Sequence, residues 1–148
     1  MPQLSLHSPL GDVTVSEEDG ALVSLDWGWG RDQHETALLR AARAQLYAYL
    51  DRELTAFDLP LAPRGTAFQQ RVWQALCAIP YGQTRSYVEL AAGLRSAPRA
   101  VGQANAGNPI PIIIPCHRVV AANGIGGYGS AGVGLKRALL ELEGVHVP

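Results

Sequence analysis

At 148 residues the chain is long enough to bury a real core and to form one domain or two small ones. Its apolar fraction of 47% with three Trp fits a water-soluble globular protein, and no apolar run approaches membrane-spanning length. The net charge of −1 excludes little until the chain is divided: residues 1–63 carry four basic residues against ten acidic ones, a net −6, whereas residues 64–148 carry eight against three, a net +5. The second part is suited to meeting phosphate and the first is not.

Cys77 and Cys116 are the only cysteines, with no CxxC pair. That argues against a disulfide scaffold and a cysteine zinc site, so no metal is expected and a reducing cytoplasm is. No basic segment followed by an apolar core opens the sequence, so no signal peptide is expected either.

Residues 4–29 alternate apolar and polar side chains, with turn signals at Pro9–Asp12 and Glu18–Gly20. Two or three antiparallel strands are predicted there. Leu38, Ala42, Leu46, Tyr49 and Leu50 then mark an amphipathic helix. Pro60 to Gly65 reads as a linker, which divides the chain into an acidic domain, 1–63, and a basic one, 64–148.

Thr66 and Gln69 form a capping box for a helix that carries Phe68, Val72, Leu76 and Ile79 on one face. Cys77 lies in that helix and is assigned to packing; Pro80-Tyr81-Gly82 ends it. Ser86 and Glu89 form a second capping box, opening a helix through Leu90 and Leu94. Pro98 suits the first position of a further short helix, which Gly107 and Asn108 can terminate. Two short helices joined by a tight turn are a helix-turn-helix candidate.

The second of them is mostly Ala and Gly, and Gly102 costs a helix about 1 kcal/mol against Ala. So small a face allows close approach, either to a neighbouring helix or to DNA through shallow, weakly sequence-dependent contacts. The glycine-rich stretch 124–132 lacks the strand–loop–helix context and the GK[ST] of a nucleotide cradle. A helix of Leu135, Leu139 and Leu142 follows and stops at Gly144. The expected fold class is α/β (α+β): a small antiparallel-sheet and helix domain, then a mainly helical domain with a helix-turn-helix.

The most informative stretch is 108–119, Asn-Pro-Ile-Pro-Ile-Ile-Ile-Pro-Cys-His-Arg-Val. Pro109, Pro111 and Pro115 stiffen an apolar stem that ends in a thiol, Cys116, beside an imidazole, His117. A thiol attacks as thiolate, which needs a base or a positive field. Side chains adjacent in sequence diverge in strand or helix, so His117 would act through a bridging water. Its other nitrogen then needs an orienting acceptor. Glu143 is the candidate: a carboxylate in the last turn of a helix opposes the helix dipole and gains from a partner elsewhere. Taken singly, Cys116 reads as a buried structural thiol and Glu143 as a solvated carboxylate. His7, His34 and His146 carry no evident role.

Pro115-Cys116-His117-Arg118-Val119, preceded by Asn108-Pro109, resembles the active-site signature of the O6-alkylguanine-DNA alkyltransferases. The resemblance covers essentially all of 64–148. It includes 64–69 (Arg-Gly-Thr-Ala-Phe-Gln), 79–82 (Ile-Pro-Tyr-Gly), Ser86-Tyr87, 99–102 (Arg-Ala-Val-Gly) and 142–144 (Leu-Glu-Gly). Residues 1–63 resemble the family's variable N-terminal domain more loosely.

The resemblance implies DNA repair by irreversible, single-turnover transfer of the alkyl group of O6-alkylguanine, and of O4-alkylthymine as a further substrate, onto Cys116 after base flipping. His117 would activate Cys116, Glu143 would polarise His117, and Asn108 would hold the turn before them. Tyr87, Val119 and Ser130 would contact the flipped base. Arg99, Ala100, Gly102, Gln103, Ala106 and Arg118 would lie on double-stranded DNA, with Arg99 filling the place the base leaves. No cofactor, no membrane and a monomer are implied. The tyrosine of Gly127-Tyr128-Gly129-Ser130 stands one residue earlier than is common in the family, and the turn from Leu94 to Arg99 is shorter than in many relatives.

Three other readings make different demands. An alkyltransferase-like damage-recognition protein would have replaced the nucleophile. A helix-turn-helix regulator leaves Cys116, His117 and Glu143 without a task. A cysteine hydrolase needs an oxyanion hole that the sequence does not advertise.

Overall fold

In the computed structural model, which describes residues 1–128 and 132–148, the chain divides into two units, Met1–Arg64 and Gly65–Pro148. The first is built on β1 (Gln3–Leu6), β2 (Val13–Glu18) and β3 (Ala21–Trp27), an antiparallel sheet in the order β1-β2-β3. Leu4 pairs with Val15, and Val13 with Trp27. The β2–β3 turn is Asp19-Gly20, both with positive φ (52° and 80°), as a primed hairpin turn requires.

One face of the sheet buries Leu4, Leu6, Val13, Val15, Val23 and Leu25. The helix α1 (Ala37–Leu50), capped by the Thr36 side chain, supplies Leu39, Ala42, Leu46 and Tyr49. Leu38 and Leu50, expected on that face, are only half-buried, because Leu39 takes the inward position. The segment expected to be a linker begins against the sheet: Leu22 bridges Leu61, exchanging backbone hydrogen bonds with Pro60 and Ala62.

The second unit is mainly helical. α2 (Ala67–Cys77) and α3 (Tyr87–Leu94) each start in a complete capping box, Thr66 with Gln69 and Ser86 with Glu89, each cap contributing about 1 kcal/mol in a typical helix. α3 ends at Arg95, which is left-handed at φ 53°, and α4 (Pro98–Ala106) begins with Pro98 in its first turn. The two helices pack on α2: Arg71 donates to Leu94 O at 2.9 Å, and the buried Trp73 indole donates to Ala104 O at 2.9 Å. Cys77, assigned to packing, is exposed at the end of α2; Trp73 fills the interior instead.

β4 (Arg85–Ser86) and β5 (Val119–Val120) form a two-residue parallel pair, Arg85 with Val119 and Ser86 with Val120. This pair brings the start of α3 beside the exit of the Cys116–Arg118 turn. α5 (Val133–Leu142) closes the unit, burying Lys136, Leu139 and Leu140, with the expected Leu135 and Leu142 only half-buried. Among the described residues no helix is long and apolar enough to cross a membrane.

Candidate active site

Ile110, Ile112, Ile113 and Ile114 are buried and lead to a single 3-10 turn, Cys116–Arg118. Ile112 lies at φ 72°, a left-handed conformation that a β-branched residue adopts at a cost of about 1–3 kcal/mol. Asn108 spans this loop. Its Nδ2 donates to Ile114 O at 2.8 Å and its Oδ1 accepts from Ile110 N–H at 2.9 Å. Ile114 O also takes the Cys116 N–H at 2.8 Å, so the amide of Cys116 hangs from a carbonyl that Asn108 fixes.

The carboxylate of Glu143, at the C-cap of α5, is fully buried and is the hub of the site. Arg118 grips it with a fork, Nε to Oε1 at 2.8 Å and Nη2 to Oε2 at 3.0 Å, and sends Nη1 to Ile79 O at 2.7 Å. Gly82 N–H donates to Oε1 at 3.3 Å, and His117 Nε2 lies 2.6 Å from Oε2. With a guanidinium and an amide donating to it, Glu143 is an ionised acceptor, and the proton of that last bond belongs to His117 Nε2.

Nδ1 of His117 is therefore the lone-pair nitrogen. It is buried and has no hydrogen-bond partner among the described residues. Burial holds the His117 pKa below its ordinary value, and Glu143 opposes that shift, while the charge of Arg118 adds to it. The ring is thus neutral at physiological pH, an acceptor ready to take a proton.

Cys116 is 5% exposed. Burial pushes its thiol up, and hydrogen bonds from Asn108 and Tyr128 and the charge of Lys136 pull the other way. The Tyr128 hydroxyl lies 3.7 Å from Sγ, within hydrogen-bond reach of sulfur. Lys136 is wholly buried, donates from Nζ to Gly127 O at 2.9 Å and stands 5.7 Å from the centre of the Tyr87 ring. Desolvation lowers its pKa to about 8. Tyr87 is half-buried, and burial first, then the negative charge Cys116 carries when ionised, raises its pKa, so its hydroxyl stays protonated at neutral pH.

The structure thus brings Cys116, His117, Glu143, Asn108, Tyr87 and Val119 to one place. Arg99, Gln103 and Ala106 are exposed on one side of α4, with Ala100 and Gly102 half-buried beside them. A Cβ on Gly102 would stand 3.8 Å from Tyr87, an ordinary contact, so packing does not require this glycine. Ser130 lies outside the described residues.

Arg118 needs correction. It was placed on DNA, but it is buried and its guanidinium is committed to Glu143 and Ile79, with the Tyr81 ring 5.8 Å away. Tyr128, Lys136 and Asn105 also lie against Cys116 or its surroundings, though the sequence assigns them no site role. The signals it offers for them are the tyrosine of the resembled loop and a lysine on the Leu139–Leu140 face of α5. Among the described residues no group of three His, Cys, Asp or Glu is placed to hold a metal ion.

A buried thiol, a neutral imidazole pinned by a carboxylate and two short helices joined by a tight turn lie together in this one unit. Residues 67–145 match the DNA-binding domain of 6-O-methylguanine DNA methyltransferase, and residues 4–63 match its ribonuclease-like domain. The chain belongs to the 6-O-methylguanine DNA methyltransferase family. It is 46% identical to the methylated-DNA–protein-cysteine methyltransferase of Mycobacterium tuberculosis, over 97% of this chain and 93% of that one. It is 42% identical to the constitutive methylated-DNA–protein-cysteine methyltransferase of Bacillus subtilis, over 93% and 92%. A crystal structure of Mycobacterium tuberculosis OGT in complex with DNA superposes with a TM-score of 0.88 at 45% identity, covering 97% of this chain and 93% of that one.

Proposed function

We propose that this protein repairs O6-alkylguanine in DNA by moving the alkyl group irreversibly onto Sγ of Cys116, once per molecule and without a cofactor. The observation that carries this reading is the His117–Glu143 pair: a buried neutral imidazole, oriented by an ionised carboxylate, one residue from a buried thiol.

The alkyl carbon on O6 is out of reach inside a stacked duplex, so the base leaves the stack and enters the site. His117 Nδ1 takes the thiol proton through a bridging water, because neighbouring side chains on the turn diverge. The S–C bond forms as the C–O6 bond breaks, and the electron pair stays on guanine, which leaves with a proton from a pocket donor. The Tyr87 hydroxyl, protonated at neutral pH, is that donor. Lys136 favours the thiolate by its charge. The product is a thioether with no acyl carbonyl for water to attack, so Cys116 is not regenerated.

The exposed row of Arg99, Gln103 and Ala106 on α4 supports docking on DNA, with Arg99 entering the space the base leaves. O4-alkylthymine presents the same kind of alkyl ether and is a second substrate class. Two free thiols support a cytoplasmic location.

The test is mass spectrometry after mixing the protein with a duplex containing O6-methylguanine. One methyl group is expected on the Cys116 peptide, at no more than one per molecule. No transfer, or repeated turnover, overturns the reading. Arg99→Ala should slow transfer from duplex about tenfold or more while leaving attack on free O6-benzylguanine unchanged; equal losses on both would remove its flipping role.

A further inference from the structure

Asn105 sits on the inward side of α4 with Val101 and Ala104 and is 4% exposed. Asn is a poor helix residue, and burying an amide is costly unless its hydrogen bonds are made. Here its Nδ2 donates to the backbone carbonyl of Cys116 at 3.3 Å, while its Oδ1 is buried with no partner among the described residues. An orphan acceptor costs about 1–3 kcal/mol, so a leucine of similar size would hold this helix in the core better. Stability alone does not account for Asn105.

Its one bond has a particular place. The Cys116 carbonyl also accepts the Val119 N–H that closes the 3-10 turn. The Cys116 N–H goes to Ile114 O, which Asn108 fixes. The nucleophile's peptide units are therefore held at both ends by asparagines three residues apart, one inside α4 and one just past its end. The opposite side of the same helix carries the exposed Arg99 and Gln103.

We infer that Asn105 is a positioning residue that ties the Cys116 carbonyl to the DNA-facing helix, so that Sγ is aligned for attack when α4 docks on the duplex. The inference rests on Cys116 being the alkyl acceptor. Small errors in reactant placement are expensive, about a hundredfold in rate for roughly 1 Å. Binding, by contrast, uses the outward side of α4, which Asn105 does not touch.

The experiment measures single-turnover transfer from an O6-methylguanine duplex as a function of duplex concentration, for the wild type and Asn105→Leu. The expected result is a saturating rate constant about ten- to a hundredfold lower, with the half-saturating duplex concentration and the shape of the pH profile unchanged and the melting temperature no lower than that of the wild type. Asn105→Ala gives the same split and replaces Asn105→Leu if that variant does not fold. Asn105→Asp, which sets a carboxylate against the Cys116 carbonyl, is slower still. Transfer at the wild-type rate by the leucine and alanine variants overturns the inference. So does a loss seen only in the half-saturating concentration, or one that vanishes on cooling. A wild type that gains no methyl group on Cys116 removes the acceptor reading itself, a different outcome from variants that match an active wild type.

Discussion

The two units bury polar groups in opposite ways. In the first, Ser5 Oγ donates to Thr14 Oγ1 and accepts from Gly30 N–H and Gln33 Nε2, while Thr14 donates to Gly28 O. Gln33 Oε1 takes the Ser5 N–H, and Gln33 Nε2 also reaches Gly30 O. Every hydroxyl and amide in this knot has its partners. In the second unit the network around Glu143 is as dense, yet among the described residues His117 Nδ1 and Asn105 Oδ1 have no partner, both on residues bonded to or hydrogen-bonded with Cys116. Buried polar groups are nearly always satisfied, so exceptions gathered at one residue mark chemistry rather than architecture. The first network holds a fold together; the second, on the proposed function, leaves open the positions where a proton and a substrate would pass.

Substitutions at the two networks should therefore part company. Glu143→Gln has the largest expected effect, because it leaves the Arg118 guanidinium buried without its counter-charge and frees His117 to take the wrong tautomer. A loss of about 3–5 kcal/mol in urea unfolding and of about a hundredfold or more in transfer rate is expected. Full activity would end the claim that this network is the catalytic one.

Lys136→Met comes next, with transfer at neutral pH slowed about tenfold. Its effect on stability has the opposite sign. A depressed lysine contributes stability above its ordinary value of 10.5 and loses it as pH falls to about 8. At neutral pH the whole cost of the buried charge is therefore in force, and the variant should melt a few degrees higher. Wild-type transfer should also lose the ammonium's help as pH rises through about 8, a limb the variant lacks. A variant both slower and less stable would show Lys136 to be a structural anchor. Thr14→Val is the smallest: about 1–3 kcal/mol lost in unfolding with the transfer rate of the remaining folded protein unchanged. A slower rate there would break the contrast.

What could be read from the chain alone was local. Both capping boxes, the Asp19-Gly20 hairpin turn and the Pro98 helix start depend on residues a few positions apart, and they formed as expected. The site was legible in part, through the Cys116-His117 pair and Glu143. Arg118 was misassigned because charge beside a nucleophile reads as a DNA contact, whereas its fate is settled by a carboxylate 25 residues away and the Ile79 carbonyl. Cys77 follows Leu76 in the pattern, but the helix ends there and the residue faces solvent. β4 and β5 are two residues each, too short for any periodicity to declare them. Tyr128, Lys136 and Asn105 are placed by contacts made only when distant segments meet.

The burial of Cys116 has a consequence for a protein that can react only once. A thiol kept protonated and 5% exposed is a poor target for small electrophiles, whereas Cys77 is the more accessible of the two thiols. On the proposed function, reactivity at Cys116 is reserved for a substrate whose shape fits the site as a single base does, whether presented by DNA or free. Inaccessibility thus serves as chemical selectivity, preserving the one acceptor for substrates of that shape.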